Sequence, residues 1–343
     1  MTNDRPMDAS TQGDEEGSSQ DNPEENPGEN PGENPGENTV SWRELLRETT
    51  TAIGESAPAR WLCEAASGLS GDEFLSELDQ PATLRMVAHL DSMVARYRSG
   101  EPLAYVLGHW SFRHIDIMVD RRVLIPRPET EVVAGRAVEL AALVSDPAIA
   151  ATTSISTVGS SASANRTRRI ADLGTGSGVI GLSIASELSI SGTEVWLTDA
   201  VSDALDVARA NAAGLGRRAA NVRIAQGEWF AALPEDLTGT FDVIVSNPPY
   251  IADDDIEIDP SVCEWEPGSA LFAGSDGLRD LRIIIGGAQR WLRPGGWLIV
   301  EIGYRQGSAV EQLFVDSGFI DVRVGHDLTS RDRYVEGRRP TSH

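Results

Sequence analysis

The most specific chemical pattern in the chain is a rigid polar turn after the apolar run 241–245: Asn247-Pro248-Pro249-Tyr250. Two consecutive prolines fix φ near −65° and remove two backbone donors, so the turn presents mainly hydrogen-bond acceptors. A planar NH2 group donates two hydrogen bonds, which the Asn247 side-chain oxygen and the Pro248 carbonyl would receive while Tyr250 covers its flat face. The pattern therefore indicates a clamp for an amide or amine. Taken alone, the same residues fit a turn that simply ends a strand equally well.

A glycine-rich loop lies upstream, between a predicted buried strand, Arg169–Leu173, and a predicted helix, Val179–Leu188. Its sequence is Gly174-Thr175-Gly176-Ser177-Gly178. Glycines let a ligand approach the backbone, and free N–H groups at the helix start attract a negative or carboxylate end. The dinucleotide fingerprint would require glycine at position 179, where valine stands. The spacing Asp-x-Gly-x-Gly-x-Gly therefore favours S-adenosylmethionine over NAD.

Two further predicted strands each end in residues suited to a nucleoside. The strand Glu194–Thr198 leads to Asp199, about 20 residues beyond the glycines, where an acid accepts hydrogen bonds from ribose hydroxyls. Capping of the next helix is the alternative role for Asp199. The strand Asn221–Ala225 leads to Glu228 and Trp229, a carboxylate and an aromatic face for an adenine ring. Packing in the core is the alternative role for Trp229.

The order of these elements predicts an α/β fold. Strands and helices alternate from Arg169 onward, which favours a doubly wound, mostly parallel sheet. The remaining predicted elements are a strand at Gly296–Ile302, a helix at Ala309–Ser317 and closing strands at Phe319–Val324 and Tyr334–Gly337. Ligands bind such sheets at the carboxyl ends of the strands. The glycine loop, Asp199, the pair of Glu228 and Trp229, and the clamp all lie at such ends.

Residues 41–108 predict a small helical bundle. Ser41 followed by Glu44 is a capping box for a helix through Thr51. Apolar residues at three-to-four spacing predict further helices at 61–67, 71–78 and 81–99. Alternation over Trp110–Ile125 predicts a β-hairpin, so that 109–125 form a linker and 126–343 the catalytic domain.

The first 40 residues predict a disordered acidic tail. They contain eleven acidic residues, one Arg and a tandem Glu-Asn-Pro-Gly repeat from Glu25 to Gly36. Such a segment buries too little apolar area to offset the entropy lost on ordering. The Ser, Ala and Thr-rich stretch 150–166 predicts a flexible surface loop inside the catalytic domain.

Composition argues against several classes of protein. No apolar stretch approaches the ~20 residues of a membrane span, and the polar amino terminus is unlike a signal peptide. Two cysteines without a C-x-x-C pair and five scattered histidines predict a reducing cytoplasm and no metal site. The chain has a formal charge of −24, no Lys and no Arg cluster larger than 166–169, which argues against direct nucleic-acid binding. A cytoplasmic monomer that does not bind membranes is expected.

These residues resemble the HemK/PrmC-type protein-(glutamine-N5) methyltransferases over nearly all of residues 42–338. The likeness is carried by the clamp together with two linker runs, Gly100–Gly108 and Val123–Glu131. The second run contains Ile-Pro-Arg-Pro-Glu-Thr-Glu, which is characteristic of glutamine-directed members. Further family positions lie downstream, at Glu266, Pro267, Asp276, Glu301, Gln306 and Arg333. Two departures are Glu228, where a shorter Asp is expected, and a long join between Val144 and Arg168.

The resemblance implies a class I S-adenosylmethionine-dependent methyltransferase fold, a seven-stranded sheet with a reversed last strand. The implied cofactor is S-adenosyl-L-methionine, with S-adenosyl-L-homocysteine as its product. The implied substrate is the glutamine in the Gly-Gly-Gln motif of class 1 peptide chain release factors, whose methylation tunes translation termination. The helical bundle would recognise this protein substrate.

The resemblance also assigns site residues. Catalysis is assigned to Asn247, Pro248 and Tyr250, and substrate binding to the same turn with Pro249. The cofactor would contact the glycine loop, Asp199, Glu228, Trp229 and Asn247. Arg127 and Glu131 are candidates for substrate binding, although with Glu129 they fit equally well as ion pairs that lock the hairpin.

Three other functions share part of this pattern. A glutamine methyltransferase acting on a ribosomal protein would use the same clamp and differ mainly in the helical bundle. A nucleic-acid amino-methyltransferase would need a basic face, which this acidic chain lacks. An NAD-dependent dehydrogenase, or a binding module without catalysis, is disfavoured by the glycine spacing and by the clamp.

Overall fold

The computed structural model describes residues 40–143 and 166–341. The predicted acidic tail, except Val40, and the predicted loop up to residue 165 lie outside the described residues. The helices are α1 Trp42–Ile53, α2 Ser56–Ser67, α3 Gly71–Ser76, α4 Leu84–Arg98, α5 Leu103–Leu107, α6 Thr130–Leu143, α7 Val179–Glu187, α8 Ser202–Leu215, α9 Pro260–Trp265, α10 Arg279–Trp291 and α11 Gly307–Asp316. The strands are β1 His109–Phe112, β2 Ile115–Met118, β3 Arg168–Leu173, β4 Thr193–Asp199, β5 Val222–Gln226, β6 Phe241–Ser246, β7 Leu292–Glu301, β8 Ile320–His326 and β9 Asp332–Arg338.

The amino-terminal helices form a bundle with its own apolar core. The capping box starts α1, because Glu44 N–H donates to Ser41 Oγ (3.3 Å) and Ser41 N–H donates to Glu44 Oε2 (3.1 Å). The helix predicted from residue 81 begins at Leu84, since Thr83 Oγ1 caps it by accepting from Met86 N–H at 3.3 Å. The buried side chains include Trp42, Leu62, Phe74, Leu90 and Met93.

The hairpin between the domains is shorter than predicted. Strands β1 and β2 pair antiparallel, but no strand follows Met118 within the described linker 119–129. Arg122 N–H donates to Asp120 Oδ1 (3.0 Å), which turns the chain, and prolines at 126 and 128 supply no N–H to a ladder. The alternating pattern up to Ile125 therefore reflects irregular backbone with alternate burial, not a strand.

The predicted fold class is confirmed by a seven-stranded sheet of order β5-β4-β3-β6-β7-β9-β8. Strands β3 to β7 are parallel, and β9 runs antiparallel to its neighbours β7 and β8. Every residue of β6 is buried, which explains why four of its six residues are apolar. The order of the chain reverses between β3 and β6, so a crevice opens at their carboxyl ends.

Helices cover both faces of the sheet. One core joins the sheet to α6, α7 and α8, and the other joins it to α10 and α11. Residues such as Ile170 and Leu182 on one side, and Phe241 and Ile284 on the other, are fully buried. Within residues 40–143 and 166–341, no helix has the length and apolar composition needed to cross a bilayer.

Candidate active site

A cavity of about 280 Å³ opens at the carboxyl ends of β3, β4 and β6. Its size lies at the lower edge of the range of about 300–1,000 Å³ typical of small-molecule pockets. The predicted residues that line it are Gly174, Thr175, Gly176, Ser177, Asp199, Glu228, Trp229, Asn247 and Pro249. The predicted residues absent from its wall are Gly178, Pro248, Tyr250, Arg127 and Glu131. The linker supplies a wall that sequence reasoning missed, formed by Arg122, Val123, Leu124 and Pro126.

The buried carboxylate of Asp172 holds the glycine loop in place. Its Oδ2 accepts from Thr175 Oγ1 at 2.6 Å and from Gly181 N–H at 2.9 Å. Burial raises the pKa of Asp172 to about 6, against the effect of these two donors. Asp172 was not predicted as a site residue, although it is the acidic position of the Asp-x-Gly pattern. It fixes the loop and does not line the cavity.

Two glycines of the loop are required by geometry. Gly174 has φ +67°, and a Cβ on it would lie 3.0 Å from the Trp229 ring. Gly178 has φ +86°, and a Cβ there would lie 3.0 Å from Leu182 and 3.1 Å from Leu197. Gly178 therefore lets α7 approach the sheet and supports the cavity from behind.

Asp199 holds the glycine loop and still has hydrogen-bond acceptor positions free for a ligand. Its Oδ2 accepts from Gly176 N–H and its Oδ1 from Val201 N–H, each at 2.9 Å. A carboxylate offers roughly four acceptor positions, so about two remain for hydroxyl donors.

Trp229 stands on the other side of the cavity in a strained conformation. Its φ of +46° is rare for a residue with a side chain and costs on the order of 1–3 kcal/mol. Its buried indole N–H has no hydrogen-bond partner among the described residues. Glu228, beside it, is exposed at the rim. Strain and an unpaired donor at a cavity wall indicate a binding surface.

The clamp follows β6, and its acceptors are left open. Asn247 Nδ2 donates to Thr130 Oγ1 at 3.4 Å, while no described residue donates to Asn247 Oδ1. The buried Pro248 carbonyl also accepts no hydrogen bond within the described chain. Gln306 Nε2 donates to the carbonyl of Tyr250 at 2.9 Å. Gln306 therefore holds the end of the turn, while Asn247 Oδ1 and the Pro248 carbonyl stay open to a ligand.

Tyr250 points away from the cavity wall. Its hydroxyl donates to Glu301 Oε1 at 3.3 Å, and burial raises its pKa above the ordinary value. Burial also raises the pKa of Glu301 to about 7. A ring held in this way supports the clamp, and its predicted role as a cover for the substrate amide stays a prediction.

Arg127 has a side-chain partner outside the cavity, whereas, among the described residues, Glu131 is held only by its main chain. Arg127 Nη2 donates to Glu266 Oε1 at 2.5 Å, and Ile125 N–H donates to Glu266 Oε2 at 3.0 Å. The main-chain carbonyl of Glu131 accepts from Arg113 at 3.0 Å. Arg127 therefore forms an ion pair, which was the alternative to its role in substrate binding. Contact of Arg127 or Glu131 with the substrate stays a prediction.

Known protein families match both the helical bundle and the domain that contains the seven-stranded sheet. Residues 41–108 match the PrmC N-terminal domain, and residues 165–322 match a methyltransferase domain. A release factor glutamine methyltransferase of Xylella fastidiosa is 38% identical over 262 residues, covering 76% of this chain and 85% of the relative. One of Burkholderia pseudomallei is 36% identical over 300 residues, covering 87% and 95%. One of Escherichia coli is 33% identical over 296 residues, covering 86% and 96%.

Proposed function

This chain belongs to the family of release factor glutamine methyltransferases, and we propose that it methylates the glutamine of the Gly-Gly-Gln motif in class 1 peptide chain release factors. The reaction would transfer the methyl group of S-adenosylmethionine to the side-chain amide nitrogen (N5). The observation that carries this proposal is the pair of open acceptors, Asn247 Oδ1 and the Pro248 carbonyl, in the turn whose residues Asn247 and Pro249 line the glycine-loop cavity. They match the two N–H donors of a primary amide.

The residues of the cavity fit S-adenosylmethionine. Backbone N–H groups of the glycine loop would bind its carboxylate end, and the acceptor capacity left on Asp199 suits the ribose hydroxyls. Trp229 lines the cavity and would flank the adenine ring. When bound, the cofactor supplies an electrophilic methyl group on a positively charged sulfur.

The protein's contribution follows from the weakness of the nucleophile. An amide nitrogen shares its lone pair with its carbonyl, so orientation and electrostatics must supply most of the rate. With one N–H given to Asn247 and the other to Pro248, the nitrogen is aimed into the cavity. The same carbonyl dipoles stabilise positive charge that grows on nitrogen as its bond to carbon forms. The methylated nitrogen is then acidic, and its proton leaves to water without a dedicated base.

We propose that the bundle, residues 41–108, is the platform on which the release factor binds. It has no catalytic pattern of its own, while the linker that leaves it lines the cavity at Val123 and Leu124. A release factor is met during translation, so we place the enzyme in the cytoplasm, acting as a monomer.

Incubation with labelled S-adenosylmethionine and purified release factor, followed by mass spectrometry, tests the substrate. Label on the Gly-Gly-Gln glutamine is expected, and a release factor with that glutamine changed to alanine should stay unlabelled. Parallel incubation with ribosomal proteins tests the alternative function, a glutamine methyltransferase that acts on a ribosomal protein. Label on a ribosomal protein, with none on the release factor, would overturn the proposal.

A further inference from the structure

Trp229 is held at the cavity by its neighbours. Its φ of +46° is a conformation that a residue with a side chain rarely adopts, so the surrounding structure must keep it there. One support is Gly174 of the glycine loop, where an added Cβ would lie 3.0 Å from the Trp229 ring. A second support comes from the next residue along the chain, Phe230.

Phe230 lies against helix α10 in a space that a glycine leaves open. A Cβ on Gly287 would lie 2.7 and 2.8 Å from two carbons of the Phe230 ring, whereas ordinary carbon contacts are about 3.5–4.0 Å. Gly287 stands inside the helix, where glycine is less favourable than alanine. The close approach of the ring explains what this glycine provides, a notch into which Phe230 fits.

Trp291 completes the seat of Phe230. Residues four apart on a helix lie on the same face, so Gly287 and Trp291 present one surface to the ring. The rings of Phe230 and Trp291 are parallel to within 7°, with centroids 6.1 Å apart. Trp291 is 3% exposed, and its ring also packs against Phe241 of β6 with centroids 6.4 Å apart. The seat is therefore fixed to the sheet.

A short turn connects the seat to the cavity wall. Trp229 and Phe230 begin a single 3-10 turn, Trp229–Ala232. A Cβ on Gly227 would lie 2.8 Å from the main chain of Ala232, so the two ends of the turn are packed together. Because the turn is this compact, a displacement of Phe230 also displaces Trp229.

We propose that Phe230, seated against Gly287 and Trp291, is a positioning residue that fixes Trp229 for the adenine ring of the cofactor. This inference rests on the proposed function and deepens it, because it names what holds the aromatic wall of the cavity. Trp229 is among the described residues that line the cavity, and Phe230 is not. The effect of Phe230 on the cofactor therefore passes through Trp229.

Gly287→Ala tests the seat, and Gly286→Ala is its matched control on the same helix. The added Cβ at position 287 would push the Phe230 ring away by roughly 1 Å, whereas at position 286 it would meet no described atom within 4 Å. Gly287→Ala should weaken S-adenosylhomocysteine binding about tenfold in calorimetry well below the Tm, the value of one well-placed aromatic contact. Gly286→Ala should keep the parent affinity and raise the Tm by roughly 2 °C, since alanine is the better helix former.

Steady-state kinetics distinguish positioning of the cofactor from general damage to the fold. The adenine ring is remote from the transferred methyl group, so its contacts count equally in the bound cofactor and in the transition state. Gly287→Ala should therefore raise the KM for S-adenosylmethionine about tenfold and leave kcat within about twofold of the parent.

A double-mutant cycle shows whether the effect passes through Phe230. Phe230→Leu introduces no larger group into the seat, and it should weaken S-adenosylhomocysteine binding about threefold or more, because the stacking on Trp291 is lost. In that background Gly287→Ala should change the affinity by less than about twofold, since the ring that it would displace is absent.

Undiminished S-adenosylhomocysteine affinity in Gly287→Ala would overturn the inference. So would an equal tenfold loss with and without Phe230→Leu, or a loss of the same size in Gly286→Ala, since the effect would then come from the helix alone. Unchanged affinity in Phe230→Leu would do so as well, and that measurement does not depend on whether Gly287→Ala folds. A parent protein that fails to bind S-adenosylhomocysteine would instead count against the proposed function.

Discussion

Replacing Arg127 by Met should destabilise the fold and leave release factor binding intact. The side chain of Glu266 is 2% exposed, and it accepts hydrogen bonds from Arg127 and from the N–H of Ile125. Removing one partner of a buried ion pair costs about 3–5 kcal/mol, because a charge is left buried without compensation. Arg127 is 33% exposed and the Ile125 N–H remains, so we expect the lower end, about 3 kcal/mol.

Thermal unfolding followed by circular dichroism measures this loss. About 3 kcal/mol should lower the Tm on the order of 6 °C in a domain of this size. The matched control is Arg43→Met, whose partner Asp79 is 80% exposed, and its Tm should equal that of the parent. The double variant Arg127→Met/Glu266→Gln should recover part of the Tm, since a neutral amide still accepts from Ile125.

Steady-state kinetics well below the Tm separate the two roles of Arg127. If it only locks the linker, the KM for release factor stays within about twofold, because a change of less than about 0.5 kcal/mol is expected away from the interface. A raised KM with an unchanged Tm would refute the ion-pair reasoning and place Arg127 at the release factor.

Three further outcomes are expected. Asn247→Ala should lower kcat by about 100-fold or more, the usual cost of losing one transition-state hydrogen bond, with little loss of S-adenosylhomocysteine affinity; unaltered single-turnover rates would remove it from the clamp. Asp199→Ala should weaken S-adenosylhomocysteine binding about 10–100-fold in calorimetry, as loss of hydrogen bonds to a charged group predicts, whereas equal affinity would contradict the ribose assignment. The pKa of Glu301 rises on folding from its ordinary 4.5 to about 7, so its contribution to stability is present below pH 4.5 and lost as the pH rises to 7. Glu301→Gln should therefore gain stability relative to the parent across that interval and no further above it; denaturant titrations giving a constant difference would contradict this.

The parts of the site that could be read from sequence are those set by local geometry. Asp199 ends β4 and Asn247 directly follows β6, and parallel strands place their carboxyl ends at one edge of a sheet. The glycine loop is likewise a local pattern, because its spacing fixes where the backbone turns. Such features need no knowledge of distant contacts.

The supporting contacts could not be read in this way. Thr130 and Asn247 are 117 residues apart, and Glu266 is 141 residues from Ile125. Such a long-range contact leaves no periodic pattern in the sequence, because it depends on how α6 and the linker pack against the sheet. The strand predicted up to Ile125 is wrong, because the alternating apolar residues Val123 and Ile125 are buried on irregular backbone after the turn at Asp120. Prolines in that segment were the signal against a longer hairpin.

Hydrogen bonds from both domains hold the linker, and the linker lines the cavity. Tyr105 of α5 donates its hydroxyl proton to the carbonyl of Val123 at 2.6 Å, and Val123 lines the cavity. From the opposite side, Asn211 of α8 donates to the carbonyls of both Met118 and Ser177, at 3.0 and 2.9 Å. One side chain thus joins the hairpin to the glycine loop. A catalytic domain beginning at residue 126 would lack the wall at Val123 and the hydrogen bonds that hold it, so sheet and clamp alone do not make the complete site.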